Sequence, residues 1–245
     1  MSLRIDSAKK LRKEKHKWRI NTPEEYEAME SAFLKEKLLS KEPTISGQVR
    51  ITAGKAKNFL LDIPKTTRPL TDRMKIRIFD VLREDVVNKT VLDLYAGTGS
   101  FALEALSRGA KEATLVDASK HAERILQSNV TRTGYLPQCE IIKMRAYDYL
   151  VRAEKEERVF DIIFMDPPYK LYNTKKTFNM EEIINLSSKC LPGIKNPNTK
   201  KFKGVLIIKH PRRYPIEKLN LENIERIADY NFGLNTISFY IVKIY

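Results

Sequence analysis

Only two cysteines, Cys139 and Cys190, occur in 245 residues. They are too few and too far apart for a disulfide framework. Together with three histidines, His16, His121 and His210, they show no metal-ligand spacing, so no metal is expected. No apolar run approaches the ~18–20 residues that span a membrane. The first thirty residues carry charge where a secretory signal would be apolar. These absences point to a cytoplasmic protein with no membrane partner, expected to work as a monomer. Core material is not lacking, because 42% of the residues are hydrophobic. That suits one α/β domain with an appendage and excludes wholesale disorder.

Acidic residues are in the minority. Lys and Arg number 45 against 31 Asp and Glu, a formal charge of +14. Residues 1–20 hold eight basic and two acidic side chains, and residues 46–77 hold the same numbers. Most of the surplus therefore precedes residue 78. One basic tail reads equally well as a solvated arm. Two basic blocks ahead of a nearly neutral remainder point to a polyanionic partner, a nucleic acid.

The pattern divides the chain into three parts. Residues 1–46 read as a basic arm and a helix, with Thr22 as N-cap, Pro23 at the first helical position and Glu25 closing a capping box. Residues 47–89 read as a basic hairpin of strands Gln48–Thr52 and Asn58–Leu61. A helix is expected after Thr71, with Met74, Ile78, Val81 and Leu82 on its apolar face. From residue 90 to 245, strands and helices alternate with short joins. This predicts an α/β, Rossmann-like, mostly parallel sheet covered on both faces. The last two strands, near Ile224–Tyr230 and Thr236–Lys243, lack a crossover helix and should close one edge as an antiparallel pair.

The strand at Val91–Tyr95 runs into Ala96-Gly97-Thr98-Gly99-Ser100, and a helix follows. Glycines at such a junction let the backbone turn tightly and present helix N-terminal amides to a ligand. Gly97-x-Gly99-x-x-Ala102 also fits a dinucleotide fingerprint, and an ordinary tight turn needs no ligand at all. Asp93 separates these readings. It would repel a pyrophosphate but hold the cationic amino-acid end of S-adenosylmethionine. Asp117, followed by Ala118, ends the next strand and can accept both ribose hydroxyls of an adenosine. The cofactor contacts expected from this pattern are Asp93, Tyr95, Ala96, Gly97, Thr98, Gly99, Ser100, Asp117 and Ala118.

The sharpest motif is Asp166-Pro167-Pro168-Tyr169, which follows an apolar strand. It suits methylation of an amino group conjugated with a ring, whose delocalised lone pair is a poor nucleophile. Asp166 and the Pro167 carbonyl can accept the two amine hydrogens and draw the nitrogen toward sp³ geometry. The prolines fix the backbone so that the acceptors converge. Tyr169 can stack on the flat base. Asp166 also borders the cofactor in this reading.

Asp93–Gly99 together with Asp166–Tyr169 resembles the amino-methyltransferases that use S-adenosylmethionine. A further series narrows this: Arg50-Ile51-Thr52-Ala53-Gly54, then Thr67-Arg68-Pro69-Leu70-Thr71-Asp72-Arg73, then Phe79, then Ala105-Leu106-Ser107-Arg108-Gly109-Ala110. That order is similar to the RsmD family of small-subunit ribosomal RNA (guanine-N2) methyltransferases, across residues 47–245. The resemblance implies a seven-stranded methyltransferase sheet with an antiparallel last strand and the hairpin packed on its N-terminal side. It implies methyl transfer from S-adenosylmethionine to guanine N2, with ribosomal RNA or a small-subunit particle as partner. Arg145 and Ala146 would then neighbour the adenine. Arg50, Lys55, Lys57, Arg68, Thr71 and Arg73 would face RNA, joined by Lys170 and Tyr172 beside the catalytic motif. Three positions depart from the family pattern: Ile76 where a Glu is usual, Asp80 for an Asn, and Arg145 for an acidic residue.

Two rivals stay open at this point, an adenine-N6 methyltransferase on DNA or RNA and a non-catalytic RNA-binding or assembly protein. The stretch Lys170–Phe178 reads either as a substrate lid or as a solvated loop, and Lys195–Lys203 as a solvated loop. His210 reads as a core or rim histidine, because methyl transfer to an exocyclic amine needs no histidine base.

Overall fold

An antiparallel hairpin leads into the sheet: β1 (Ile45–Arg50) pairs with β2 (Leu60–Pro64). The pairing lies outward of the expected strands because the segment between them is shaped by docking. Gly54, at φ +82, presses so closely that an added Cβ would lie 1.9 Å from the Ser107 carbonyl oxygen. The Lys55 N–H donates to that same carbonyl at 2.8 Å. Helix α1 (Asp72–Leu82) follows, its N-terminus capped by the Thr71 hydroxyl, which accepts from the Met74 N–H. Met74, Ile78, Phe79 and Leu82 are its buried apolar side chains; Val81, expected among them, is only half-buried.

The computed structural model describes residues 45–65, 67, 69–172, 180–195 and 204–243. The expected basic arm and first helix, Arg68, and most of the Lys170–Phe178 and Lys195–Lys203 stretches lie outside the described residues.

Seven strands form the main sheet: β3 (Thr90–Leu94), β4 (Glu112–Asp117), β5 (Cys139–Lys143), β6 (Ile162–Met165), β7 (Val205–Pro211), β8 (Ile224–Phe232) and β9 (Asn235–Val242). Their order is β5-β4-β3-β6-β7-β9-β8. The first five run parallel, and β9 inserts antiparallel between β7 and β8. Crossover helices are α2 (Ser100–Ser107), α3 (Lys120–Arg132), α4 (Ala146–Lys155) and α5 (Met180–Lys189), with a short α6 (Pro192–Lys195) after them. Strand order reverses between β3 and β6, the switch point where such sheets leave a crevice at their carboxyl edge.

Each face of the sheet buries its own core. One contains Ile51, Leu61, Phe79, Leu115 and Phe164, with Phe101 stacked 4.3 Å from Phe164 and 5.4 Å from Phe79. The other is built from Leu94, Tyr149, Ile163, Ile184 and Leu206. The hairpin shares the first core through Ile51 and Leu61, so apolar burial as well as hydrogen bonding holds it to α2 and α3. Among the described residues no helix is long and apolar enough to cross a membrane.

Candidate active site

The carboxyl ends of β3, β4, β6 and β7 open into a cleft of about 790 Å3. Its lining includes Thr67, Pro69, Thr71, Tyr95, Asp117, Ala118, Arg145, Ala146, Asp166–Leu171, Lys209 and Asn235. Parallel register explains the convergence: Leu94 pairs with Met165 and Met165 with Ile208, so Tyr95, Asp166 and Lys209 are the next residues out on three adjacent strands.

The glycine loop is held by side chains far away in sequence. The Asn129 amide donates to the carbonyls of both Thr98 (3.0 Å) and Asp62 (2.9 Å), tying the loop to the hairpin. Tyr95 adopts φ +63, a left-handed conformation that costs a non-glycine about 1–3 kcal/mol and clusters at functional sites. Gly97, at φ +55, lies under the loop that precedes α1. An added Cβ would be 2.5 Å from Thr67 Cγ2. The bare glycine therefore serves a contact within the protein, beyond the ligand approach expected from the pattern.

Asp117 accepts the Gly97 N–H at 2.9 Å on one oxygen and the Ser119 N–H at 2.8 Å on the other. Each oxygen keeps a lone pair. Burial pushes its carboxyl above the ordinary range, and the two N–H donors pull it back. Asp93 is deeper, 2% exposed, and among the described residues accepts only the Ala102 N–H at 3.2 Å. Burial holds its carboxyl well above the usual value, against that one N–H; the charges of Asp166 and Asp117 push it further up. Neither acid has a cationic side chain as partner among the described residues. Of the cations lining the cleft, Arg145 is committed to Asp148 at 2.5 and 2.8 Å, and Lys209 to Asp166.

Buried acids without counter-charge create a demand for a cation. S-adenosylmethionine, with an ammonium and a sulfonium, fits that donor set. Asp93 would take its amino group, and the free lone pairs of Asp117 its ribose hydroxyls.

Asp166 leaves β6 with both carboxylate oxygens bound by Lys209 Nζ, at 2.9 and 2.7 Å. Burial raises its carboxyl, and Lys209 works against that rise. Pro167 is buried and Pro168 exposed. The Tyr169 ring is 43% exposed at the cleft, and its hydroxyl donates to Asn235 Oδ1 at 2.6 Å. Lys209 and Asn235 are absent from the residues expected by motif, and Thr67 stood in the Thr67–Arg73 stretch without being expected at the cleft. Of the first two, Lys209 left a trace in the sequence, as a lysine ending the apolar run Val205–Ile208.

The residues expected to face RNA are scattered. Lys170 is exposed on the cleft, and Arg73 is exposed with its guanidinium 5.9 Å from the Phe232 ring. Arg50 is paired with Asp72 at 2.6 Å. Two more are engaged by the protein itself. The Thr71 hydroxyl caps α1. Tyr172 is buried, its hydroxyl donating to the Lys209 carbonyl at 2.9 Å and its ring edge-on to Tyr214. Lys55 and Lys57 are exposed beside Ser107, at the far end of α2 from the glycine loop. An eight-residue helix separates them from the cofactor end by about 12 Å. His210 is buried and hydrogen-bonded to Ser238 at 2.9 Å.

The family model described as Conserved hypothetical protein 95 matches residues 49–241, most of the chain. The chain belongs to this family. The Conserved hypothetical protein 95 frame covers the hairpin, the glycine loop and Asp166–Tyr169 together. A relative from Haemophilus influenzae, named ribosomal RNA small subunit methyltransferase D, is 34% identical over 130 residues, covering 52% of this chain and 67% of its own length. A solved methylase structure from Haemophilus influenzae is 26% identical with a TM-score of 0.58, covering 80% of this chain and 99% of that one. An S-adenosylmethionine-dependent methyltransferase from Streptococcus mutans shares the fold alone, at 14% identity and TM-score 0.58, over 76% of this chain and 54% of that one. The resemblance to the RsmD family read from the sequence is thus borne out, as are the seven-stranded sheet and its antiparallel last strand. By family and fold this member is a methyltransferase.

Proposed function

We propose that the chain transfers a methyl group from S-adenosylmethionine to the exocyclic N2 of a guanine in small-subunit ribosomal RNA, with the target base flipped into the cleft. The observation that carries this reading is the partly buried Asp166, held by Lys209, with its two prolines and the exposed Tyr169, set beside acids that lack a cationic partner among the described residues. The cofactor, when bound, supplies an electrophilic methyl on a sulfonium.

The chain's own residues do the rest. Asp93 and Asp117 fix the two ends of the cofactor. Asp166 and the Pro167 carbonyl accept the amine hydrogens and turn the nitrogen lone pair toward the methyl. Tyr169 holds the ring plane. As the N–C bond forms and the C–S bond breaks, the nitrogen carries one proton too many. Asp166 already accepts that hydrogen and passes the proton to solvent.

Ribosomal RNA as substrate rests on the name of the Haemophilus relative and on charge. The exposed cations Arg73, Lys170, Arg212 and Arg213 flank the tip of the β8–β9 hairpin and the cleft. Residues 1–20 add a second basic block, suited to phosphate contacts without base readout. Labelled-methyl transfer to naked ribosomal RNA, ribosomal particles and DNA, followed by nucleoside analysis, tests the reading. N2-methylguanosine in RNA is the expected product. N6-methyladenosine would favour the rival pocket, and no transfer to any substrate would remove the catalytic reading.

A further inference from the structure

Lys209 belongs to no motif, yet it grips both ends of the catalytic turn. Its Nζ contacts both oxygens of Asp166, and its backbone carbonyl accepts the Tyr172 hydroxyl. Its side chain is 10% exposed, and it follows the four apolar residues Val205–Ile208 of its strand. A buried ammonium is costly, and apolar residues in its place would generally hold a core at least as well. A stability role alone therefore accounts poorly for it.

We propose that Lys209 is a positioning residue for methyl transfer, holding the Asp166 carboxylate ionised and in one plane so that its remaining lone pairs face the incoming amine. This rests on the reading of Asp166 as the amine acceptor. Each carboxylate oxygen has about two acceptor sites, so the two contacts from Nζ leave one on each oxygen for the base. The two-point contact fixes the rotation of the carboxyl group. The pair is neutral, so the lysine does not oppose the positive charge that passes to the amine.

The surroundings of Asp166 make this hold necessary. Among the described residues, the ionisable groups around it are Asp93 from β3, Tyr95 after β3, and Tyr169 and Tyr172 of its own turn. Asp93 repels a carboxylate, and the phenols of Tyr95 and Tyr172 are neutral, held so by burial. Among the described residues, Lys209 is the cation in contact with it. A protonated Asp166 would offer an O–H where an acceptor is needed.

The test uses the full chain with Lys209→Met, Lys209→Arg, Asp166→Asn and the double variant Lys209→Met/Asp166→Asn. Carbon NMR of the Asp166 carboxyl in the free protein should show it titrating at higher pH in Lys209→Met and close to wild type in Lys209→Arg. RNA methylation by Lys209→Met should fall at least tenfold at neutral pH. The acidic limb of its rate profile should move to higher pH, with cofactor affinity changed less than about threefold. In the Asp166→Asn background, Lys209→Met should cost no further rate. If Lys209→Met misfolds, the charge-balanced double variant and Lys209→Arg still decide the matter.

An unmoved Asp166 titration, or a full additional rate loss in the double variant, would overturn the inference. A shifted titration in a protein whose wild type methylates no nucleic acid leaves the hold on Asp166 standing and removes the proposed function.

Discussion

The buried charges under the hairpin and those beside the cleft are treated in opposite ways. Under the hairpin, Glu104 is fully buried and accepts from the Thr52 N–H (2.7 Å), the Thr52 hydroxyl (2.6 Å), the Ala53 N–H (3.0 Å) and Arg108 Nε (3.0 Å). Lys75, also fully buried, donates to the Arg50 carbonyl and lies 3.9 Å from Glu104. In the small pocket beside the cleft, Asp93 is nearly as deep with one backbone donor. The same price of desolvation falls on both acids. A satisfied carboxylate welds one element to another, whereas an unsatisfied one is poised for a ligand that brings the missing charge.

The largest effect should come from breaking the satisfied cluster. Glu104→Ala takes the acceptor from the Thr52 and Ala53 N–H groups and from Arg108, leaves buried Lys75 with Asp72 at 3.4 Å, and should cost about 3–5 kcal/mol in urea unfolding. A loss near zero would erase the contrast. Next, Asp166→Ala should lower turnover on the order of 10²-fold while cofactor affinity and unfolding change little. If stability falls as far as in Glu104→Ala, Asp166 belongs with the structural cluster.

Asp93→Asn sharpens the comparison because it should do two opposed things. Binding of S-adenosylmethionine, followed by calorimetry, should weaken about tenfold or more through loss of a charged hydrogen bond. The free protein should become more stable at neutral pH. The sign follows from the raised carboxyl of Asp93. Between the ordinary carboxylate value and the raised one, the folded state binds the proton that the unfolded state has released. Stability of the free protein therefore falls as pH rises through that window. Thermal melts of wild type against Asp93→Asn should show this slope flattened in the variant; equal slopes would contradict it.

The smallest effect concerns Tyr169. From sequence, stacking needs only the ring, so Phe should replace it. The hydrogen bond to Asn235 changes that expectation. Tyr169→Phe should reduce turnover several-fold, as for the loss of one neutral hydrogen bond worth about 0.5–1.5 kcal/mol. Asn235→Ala should match it, and the double variant should add nothing. Full activity in Tyr169→Phe would return the hydroxyl to a bystander role.

Much of this protein is local, and local features were legible. Alternating apolar runs and helices announced the sheet, the cap at Thr71 started α1, and glycines marked the turn after β3. Asp166–Tyr169 was readable because a short rigid motif carries its geometry with it. Tertiary structure alone decided which partners those residues meet. Lys209 lies 43 residues beyond Asp166 and Asn235 lies 66 beyond Tyr169, separations that no periodicity spans. The hairpin strands shifted because Gly54 docks on Ser107, a contact between elements about fifty residues apart. Lys55 and Lys57 came to rest at the far end of α2, away from the cleft. The sequence by itself determined the elements and the short motif proposed to react, because backbone propensity and hydrophobic period act between near neighbours. Only the fold decided which charges are paired and which are left waiting, because that depends on the register in which distant strands meet and on how much water their packing removes.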